Sequence, residues 1–363
     1  MENKNIIIAT FHCVPNYGAV LQAFCLQEYL KQYTNNVQIL NYCPSSLTKE
    51  YNSINTYSLG SIVTSFLTLP HFLKKKNAFS KFQKKYLKLT SPICIHRDQI
   101  PSYNGYTLVV GSDQIWNPQI TQGFESVYFG IWNASKVSKI VSYAASIGKA
   151  NYTNFEINEL RDLLRNVSAI SVRESEASNT LKDNVGVEGE VITVLDPTLL
   201  AGRSVLMKLV HSVKIKEYLL IYNLTGNPKL YELAEQISRE RNLKVIEISG
   251  IRRLFSFLSP HKIILDAGPV EFVSLFYYAD YIVTDSFHGT AFSIIFHRPF
   301  VTVPHKTRGS RIVNLLSKAG LMNRLSDSIS DSLCNDNIDW ESVDKNITKE
   351  RIISENFVKD NIL

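Results

Sequence analysis

The sequence has few cysteines, and their spacing does not suggest disulfide bonds. Five cysteines occur in 363 residues, at positions 13, 25, 43, 94 and 334, and no two of them form a C-x-x-C pair. An odd number of widely spaced cysteines is typical of reduced thiols in a cytoplasmic protein. The first residues also lack the apolar core of a secretion signal, because Met1 is followed by polar residues and then by a short strand pattern.

Three further signals are missing from the sequence. No uninterrupted apolar run is long enough to span a bilayer. No G-x-G-x-x-G pattern follows the first predicted strand, so the dinucleotide-binding fingerprint is absent. No stripe of basic residues alternates with stacking aromatics, so we expect no nucleic-acid partner. The net charge of +6 is compatible with anionic substrates or with an anionic membrane surface.

Seven lysines lie close together between positions 74 and 88, behind an apolar segment that covers residues 58–73. One interpretation is the solvated face of a helix. The other is a basic patch that contacts the inner surface of a membrane or a lipid-linked substrate. The sequence leaves both interpretations open, so the predicted cytoplasmic location includes a peripheral position at the membrane as an alternative.

Most of the chain alternates short apolar runs with helical patterns, which is typical of α/β proteins with parallel sheets. In the first half, the predicted strands cover 5–10, 37–41, 107–110, 169–173 and 191–195, and residues 139–148 are predicted to form a further strand and its loop. Helices are predicted over 20–32 and 154–167, with a third starting at Glu174. In the second half, the predicted strands cover 218–223, 244–248, 281–283 and 300–303, and helices cover 228–241, 270–279 and the segment after Ser286.

This alternation restarts after residue 202, which predicts two α/β domains. We assign residues 1–202 to an N-terminal domain and residues 203–334 to a C-terminal domain. Residues 335–363 are predicted to form one or two terminal helices. One possible arrangement is that these helices pack against the first domain.

Polar residues follow several of the predicted strands, where ligands bind in parallel sheets. Asn16, Asp113 and Arg173 follow strands of the first half, and His288 follows a strand of the second half. Asp285 and Ser286 are candidates for the N-cap of the helix that carries His288. Free N–H groups at that helix end favour an anion, over which His288 would lie. We expect these turns to surround one cleft.

Six short segments stand out, and they are Asn16-Tyr-Gly-Ala-x-Leu-Gln22, Val110-Gly-Ser-Asp-Gln-x-Trp116, Ser146-x-Gly148, Ser171-Val-Arg-Glu174, Leu195-Asp-Pro-Thr198 and Asp285-Ser-Phe-His-Gly289. Together these segments resemble the polysaccharide pyruvyl transferase family. The resemblance covers residues 5 to about 310 and implies two Rossmann-like domains in a glycosyltransferase-B-like arrangement. It also implies transfer of pyruvate from phosphoenolpyruvate to a sugar as a ketal during synthesis of a surface polysaccharide such as a capsule or exopolysaccharide, without a metal or other cofactor.

The resemblance, combined with the chemistry of a doubly anionic donor, gives a role to each candidate residue. His288 and Asp113 are the predicted catalytic residues, with His288 donating a proton or binding phosphate and Asp113 accepting a proton from a sugar hydroxyl or orienting it. The acceptor is expected to be a sugar or a lipid-linked oligosaccharide. Predicted donor-binding residues are Arg173, Ser286, His288, Gly289, Lys306, Arg308 and Arg311; predicted acceptor-binding residues are Asn16, Tyr17, Gln22 and Asp113.

One position departs from the family pattern. Many members carry Arg-Leu-His where this chain has Ser286-Phe287-His288, and serine cannot replace the charge of that donor-binding arginine. Another basic residue, such as Arg308 or Arg311, then has to supply the charge, or the donor differs. The missing arginine leaves open a glycan-binding relative without catalytic activity. A second alternative is a glycosyltransferase that uses a nucleotide sugar, which a cleft between two domains would suit.

Overall fold

The structure is a computed structural model that describes residues 4–49, 59–148, 152–249, 259–303, 309–326, 328 and 337–363. The chain divides into two compact units that are each built from separate stretches of sequence. Unit 1 contains residues 1–51, 83–201 and 349–363, and unit 2 contains residues 52–82 and 202–348. Each unit contains one parallel sheet with helices, so the chain is an α/β protein as the alternating pattern predicts.

The sheet of unit 1 has six parallel strands in the order β2-β1-β3-β4-β5-β6. Its central strands are almost fully apolar, as expected for strands that are covered on both faces. The strands are β1 Asn5–Ala9, β2 Val37–Ile39, β3 Tyr106–Val110, β4 Lys139–Ala145, β5 Ala169–Val172 and β6 Val191–Thr193.

Helices connect these strands in the order that the sequence predicts, although several ends differ by a few residues. The first helix begins at Tyr17 rather than at residue 20, because the side chain of Asn16 caps it by accepting a hydrogen bond from Ala19 N at 3.2 Å. The helices between residues 17 and 206, of which α3 and α7 each contain residues of both units, are α1 Tyr17–Leu30, α2 Ser45–Lys49, α3 Leu59–Tyr86, α4 Pro118–Thr121, α5 Asn154–Leu164, α6 Ser175–Asn179 and α7 Pro197–Leu206.

The sheet of unit 2 has five parallel strands in the order β11-β10-β7-β8-β9. The strands are β7 Tyr218–Asn223, β8 Lys244–Ser249, β9 Lys262–Ile264, β10 Tyr281–Thr284 and β11 Phe300–Thr302. The remaining helices are α8 Pro228–Arg241, α9 Pro269–Tyr278, α10 Phe287–Ile295, α11 Ser310–Ala319 and α12 Trp340–Asn361.

Two regions of the chain were poorly legible in the sequence and are clear in the structure. Residues 59–86 form one long helix, α3, that includes Pro70. The C-terminal segment forms the single helix α12, and its residues from 349 onward belong to unit 1. There the hydroxyl of Ser354 accepts a hydrogen bond of 2.9 Å from Leu195 N, just after β6. Among the described residues, no helix is both long and apolar enough to cross a bilayer.

Candidate functional site

The loops after β1 and β3 lie side by side, because the strand order of unit 1 reverses between these two strands. The chain passes from β1 to β2 on one side and continues from β3 to β6 on the other side. In open parallel sheets, ligands bind outside the carboxyl ends of the strands at such a reversal. The predicted acceptor residues follow β1, and Asp113 follows β3, so both groups belong to this position of unit 1.

The side chain of Gln22 fixes the β1 loop. Its Nε2 donates to Thr10 Oγ1 at 2.8 Å and to the carbonyl oxygen of Ala19 at 2.9 Å. Thr10 Oγ1 in turn donates to the carbonyl oxygen of Ser112 at 2.8 Å. Gln22 and Tyr17 are buried, whereas Asn16 is exposed. In the structure, Gln22 thus helps to connect the loop after β1 with the loop after β3. Its role in binding the acceptor stays a prediction.

Asp113 has a half-exposed side chain at the turn after β3. Its Oδ1 accepts a hydrogen bond of 2.8 Å from Gln114 N, and its backbone has a φ of 76°. The preceding Gly111 has a φ of 115°, and a Cβ atom there would lie 2.4 Å from the carbonyl oxygen of Tyr143. Only glycine fits this close approach, which places the carboxylate of Asp113 at the edge of the sheet.

Arg173 lies at the end of β5 and is buried in a network of carboxylates. Its Nη1 donates to Asp196 Oδ2 at 2.9 Å, and its Nε donates to Glu174 Oε1 at 3.1 Å. Burial by itself would lower the pKa of Arg173, but the charges of Glu174, Asp196 and Asp113 outweigh it and raise this pKa above its ordinary value. The guanidinium is therefore charged and compensated within unit 1, and its predicted donor contact stays a prediction.

Asp196 joins this network to the loop after β3. Its Oδ2 lies 3.4 Å from the donating Oγ of Ser112, and its Oδ1 accepts from Thr198 N at 2.9 Å and from Thr198 Oγ1 at 2.7 Å. The motifs around Gln22, Asp113, Arg173 and Asp196 are thus connected by one buried set of hydrogen bonds. Sequence reasoning assigned no role to Asp196, although an acidic residue directly before a proline and a threonine is a signal for a cap.

The strand order of unit 2 also reverses, between β7 and β10. The chain passes from β7 to β9 on one side and from β10 to β11 on the other side. The turn after β10 carries Ser286, His288 and Gly289, which therefore lie at the reversal beside the β7–α8 loop. Of the two N-cap candidates, Ser286 caps α10, because its Oγ accepts from Gly289 N at 3.4 Å.

His288 is a half-buried residue in the first turn of α10. Its ring meets that of Phe287 edge-on, with 5.2 Å between the centroids. At Gly289, a Cβ atom would lie 2.3 Å from Oγ1 of Thr284, so glycine lets the helix begin against the end of β10. The positive end of the helix dipole points toward the turn, which favours an anion near the imidazole.

Asp285 fixes the neighbouring β7–α8 loop through hydrogen bonds. Sequence reasoning did not select it as a site residue. Its Oδ1 accepts from Leu224 N at 2.9 Å, and its Oδ2 accepts from Thr225 N at 3.2 Å and from the Thr225 hydroxyl. Asn223 supports the same loop, since its Oδ1 accepts from Thr225 N at 3.1 Å and from Gly226 N at 2.8 Å. The carboxylate next to His288 is thus occupied in shaping the adjoining loop.

The basic candidates of unit 2 are only partly within the described chain. Arg311 is half-buried in the first turn of α11. Lys306 and Arg308 lie outside the described residues. Arg324, which sequence reasoning did not select, is 1% exposed and precedes Leu325, whose backbone bridges to Thr302 at the end of β11. Within the described ranges, no group of three or more His, Cys, Asp or Glu side chains could hold a metal ion.

Comparison with solved structures shows the class of fold. A UDP-N-acetylglucosamine 2-epimerase superposes with a TM-score of 0.51 at 11% sequence identity, over 98% of this chain and 96% of that chain. The UDP-N-acetylglucosamine 2-epimerase of Rickettsia bellii gives a TM-score of 0.50 at 9% identity, over 98% and 95% of the two chains. At such low identity the likeness concerns the fold alone, which is the glycosyltransferase-B-like class with two Rossmann-like units.

Comparison with family models identifies the family. The model of the polysaccharide pyruvyl transferase family matches residues 16–307, so the chain belongs to this family. The matched range begins at Asn16, the last residue before α1, and includes the turns after β3, β5 and β10 that are described above. A search of curated proteins gives no significant match.

Proposed function

We propose that this protein transfers pyruvate from phosphoenolpyruvate to a sugar, forms a ketal, and acts in the synthesis of a surface polysaccharide. The observation that carries the proposal is the position of His288, which lies in the first turn of α10 at the strand reversal of unit 2 and within the family match. An imidazole is a common proton donor in catalysis, and the N-terminus of a helix favours an anion beside it.

The donor is assigned to the carboxyl edge of the sheet in unit 2. Phosphoenolpyruvate carries a phosphate and a carboxylate, and both groups suit the N-terminal turn of α10, where Ser286, His288 and Gly289 lie. Arg311 is the described cation that we assign to the donor, together with Lys306 and Arg308. Arg173 is retained as a donor residue, with its charge stabilised by Asp196 and Glu174.

The reaction requires one proton donor and one proton acceptor. Protonation of the methylene carbon of phosphoenolpyruvate gives the methyl group and an oxocarbenium-like centre at the next carbon. A sugar hydroxyl adds to this carbon, phosphate departs, and a second hydroxyl closes the ketal. The two hydroxyl groups release two protons, of which one balances the proton in the new methyl C–H bond and the other leaves with phosphate. We assign the proton donation to His288 and the proton acceptance to Asp113, and no step uses a cofactor.

The acceptor is assigned to the edge of unit 1 where Asn16, Tyr17, Gln22 and Asp113 lie. A sugar or a lipid-linked oligosaccharide presents hydroxyl groups, which the exposed amide of Asn16 and the half-exposed carboxylate of Asp113 are suited to bind. We place the reaction in the cytoplasm, which is consistent with the free thiols of Cys13, Cys25, Cys43 and Cys94.

The test is release of inorganic phosphate from phosphoenolpyruvate in the presence of a panel of sugar and glycolipid acceptors. We expect release only when an acceptor is present, and we expect His288→Ala to lose it. His211→Ala is the matched control, because His211 is an exposed histidine of the same unit. Acceptor-dependent release that survives in His288→Ala would exclude the role of this residue, and no release with any acceptor would count against the reaction.

A second candidate function is that of a transferase that uses a nucleotide sugar. It is favoured by Ser286, because this serine caps α10 and supplies no charge to a phosphoenolpyruvate donor. The measurement is a melting-temperature screen with phosphoenolpyruvate, nucleotide sugars and inorganic phosphate. Stabilisation by a nucleotide sugar without stabilisation by phosphoenolpyruvate would favour this candidate. Glycan binding without any turnover would instead indicate a non-catalytic relative.

A further inference from the structure

The positive charge of this protein is concentrated in one segment. Between positions 51 and 97 the sequence contains seven lysines and one arginine but no aspartate or glutamate. This segment thus carries +8, whereas the whole chain carries +6, so the remaining residues together carry a net charge of −2. The excess of positive charge is therefore a local property of α3 and the residues that follow it.

The helix α3 presents these lysines on one half of its circumference. Lys76, Lys81, Lys84 and Lys85 are exposed and, at about 100° per residue, lie within one half turn of the helix surface. We call these four residues the basic face of α3. Lys88 is also exposed and lies two residues beyond the end of the helix.

The opposite half of α3 is anchored in the protein. Phe79 and Phe82 are 2% and 3% exposed. A Cβ atom at Gly268 would lie 2.9 Å from the Cβ of Ala78, so the helix packs closely against the start of α9. This packing consequently fixes the part of the helix backbone that carries these residues.

One lysine of the segment, Lys74, is already paired with an acidic side chain and is therefore left out of the basic face. Lys74 Nζ lies 2.8 Å from Asp266 Oδ2, and His71 Nδ1 lies 3.1 Å from the same oxygen. The adjacent Leu73 is 52% exposed and directly precedes three consecutive lysines. Exposed lysines beside an exposed leucine are the combination that the interface of an anionic bilayer accommodates.

We propose that the basic face of α3 binds the surface of a membrane that contains anionic lipids. The charge of the face is complementary to such a surface, and Leu73 supplies an apolar contact. A nucleic acid fits this face less well, because the aromatic rings that could stack on bases are turned inward at Phe79 and Phe82. The function of this contact would be to hold the protein where lipid-linked substrates are found.

The test is co-sedimentation of the full chain with vesicles of phosphatidylcholine, with and without phosphatidylglycerol. We expect binding only to the vesicles that contain phosphatidylglycerol, and we expect it to be lost at 0.5 M salt. The variant K76Q/K81Q/K84Q should bind about 100-fold more weakly, since each surface lysine contributes roughly fivefold.

The control variant K345Q/K349Q/K359Q removes the same charge from three exposed lysines of α12. It should bind vesicles as the wild type does. Equal losses in both variants, or an absence of wild-type binding to anionic vesicles at low salt, would overturn the proposal. Binding of a labelled RNA duplex through the basic face without vesicle binding would also overturn it. None of these results depends on pyruvyl transfer, so the two proposals can fail separately.

Discussion

Arg173 Nη1 donates a hydrogen bond of 2.9 Å to Oδ2 of Asp196, and the side chains of both residues are almost completely buried, at 2% and 0% exposure. The two residues come from different sequence motifs, one after β5 and the other after β6. Because a buried ion pair is costly to break on one side only, this contact ties the two motifs into a single network. It links residues of a predicted active site to the stability of unit 1.

The first expectation concerns this ion pair. Asp196→Asn should lower the free energy of unfolding by about 3 kcal/mol, because it leaves the buried guanidinium of Arg173 with less compensating charge. Urea unfolding measures the change. Asp162→Asn is the control, because the Asp162–Arg165 pair is exposed at 65% and 73% and should contribute less than about 1 kcal/mol. Equal effects of the two substitutions would contradict the network.

The second expectation concerns Asp113, which we assign as proton acceptor. Asp113→Asn should lower kcat by about 100-fold, because an amide cannot accept the proton of the sugar hydroxyl. Stabilisation by phosphoenolpyruvate, measured as a rise in melting temperature, should remain. Loss of this stabilisation together with kcat would mean that Asp113 acts on the donor instead. Asp98→Asn, at an exposed aspartate of unit 1, should change neither quantity.

The third expectation concerns the loop held by Asp285. Asp285→Asn should raise the KM for phosphoenolpyruvate, because the β7–α8 loop next to His288 loses the carboxylate that accepts from Leu224 and Thr225. It should also lower the free energy of unfolding by roughly 2 kcal/mol. Asp280 supplies the matched control, since its Oδ2 accepts from Tyr218 N at 3.0 Å at the opposite end of β10. Asp280→Asn should lower stability and leave KM unchanged; a similar rise in KM would refute a specific role of Asp285.

The fourth expectation is a pH dependence of stability. Burial lowers the pKa of His12 below its ordinary value of 6.5, although hydrogen bonds with Thr10 and Asn41 partly oppose this shift. The unfolded chain therefore binds a proton at this histidine more readily than the folded chain does. The free energy of unfolding is consequently unaffected by His12 above pH 6.5, and it decreases as the pH falls below 6.5. Urea unfolding between pH 7.5 and 5 should show this loss.

His12→Gln should flatten this pH dependence, whereas His211→Gln should preserve it, because His211 is exposed. A slope in His12→Gln that equals that of the wild type would show that other groups cause the dependence. The backbone carbonyl of His12 accepts from Gln83 Nε2 at 2.6 Å and is retained in the variant, so the comparison isolates the imidazole.

The sequence alone determined the alternation of strands and helices, because apolar periodicity and capping residues act over a few neighbouring positions. Asn16 and Ser286 were legible as turn and cap residues for this reason, and the structure shows that each caps a helix. The motifs also indicated the family, which the family comparison confirms. The single helix 59–86 was not legible, because its apolar and lysine-rich parts do not share one periodic pattern.

Only the tertiary structure decided which of these turns are neighbours. The reversals between β1 and β3 and between β7 and β10 depend on pairing between strands that are far apart in the sequence, and no local pattern encodes that pairing. The same holds for the contacts of Gln22 with Thr10, of Arg173 with Asp196, and of Asp285 with Thr225. Local sequence sets the preferred conformation of each segment, whereas the burial of both faces of each sheet selects the arrangement that brings distant polar residues together.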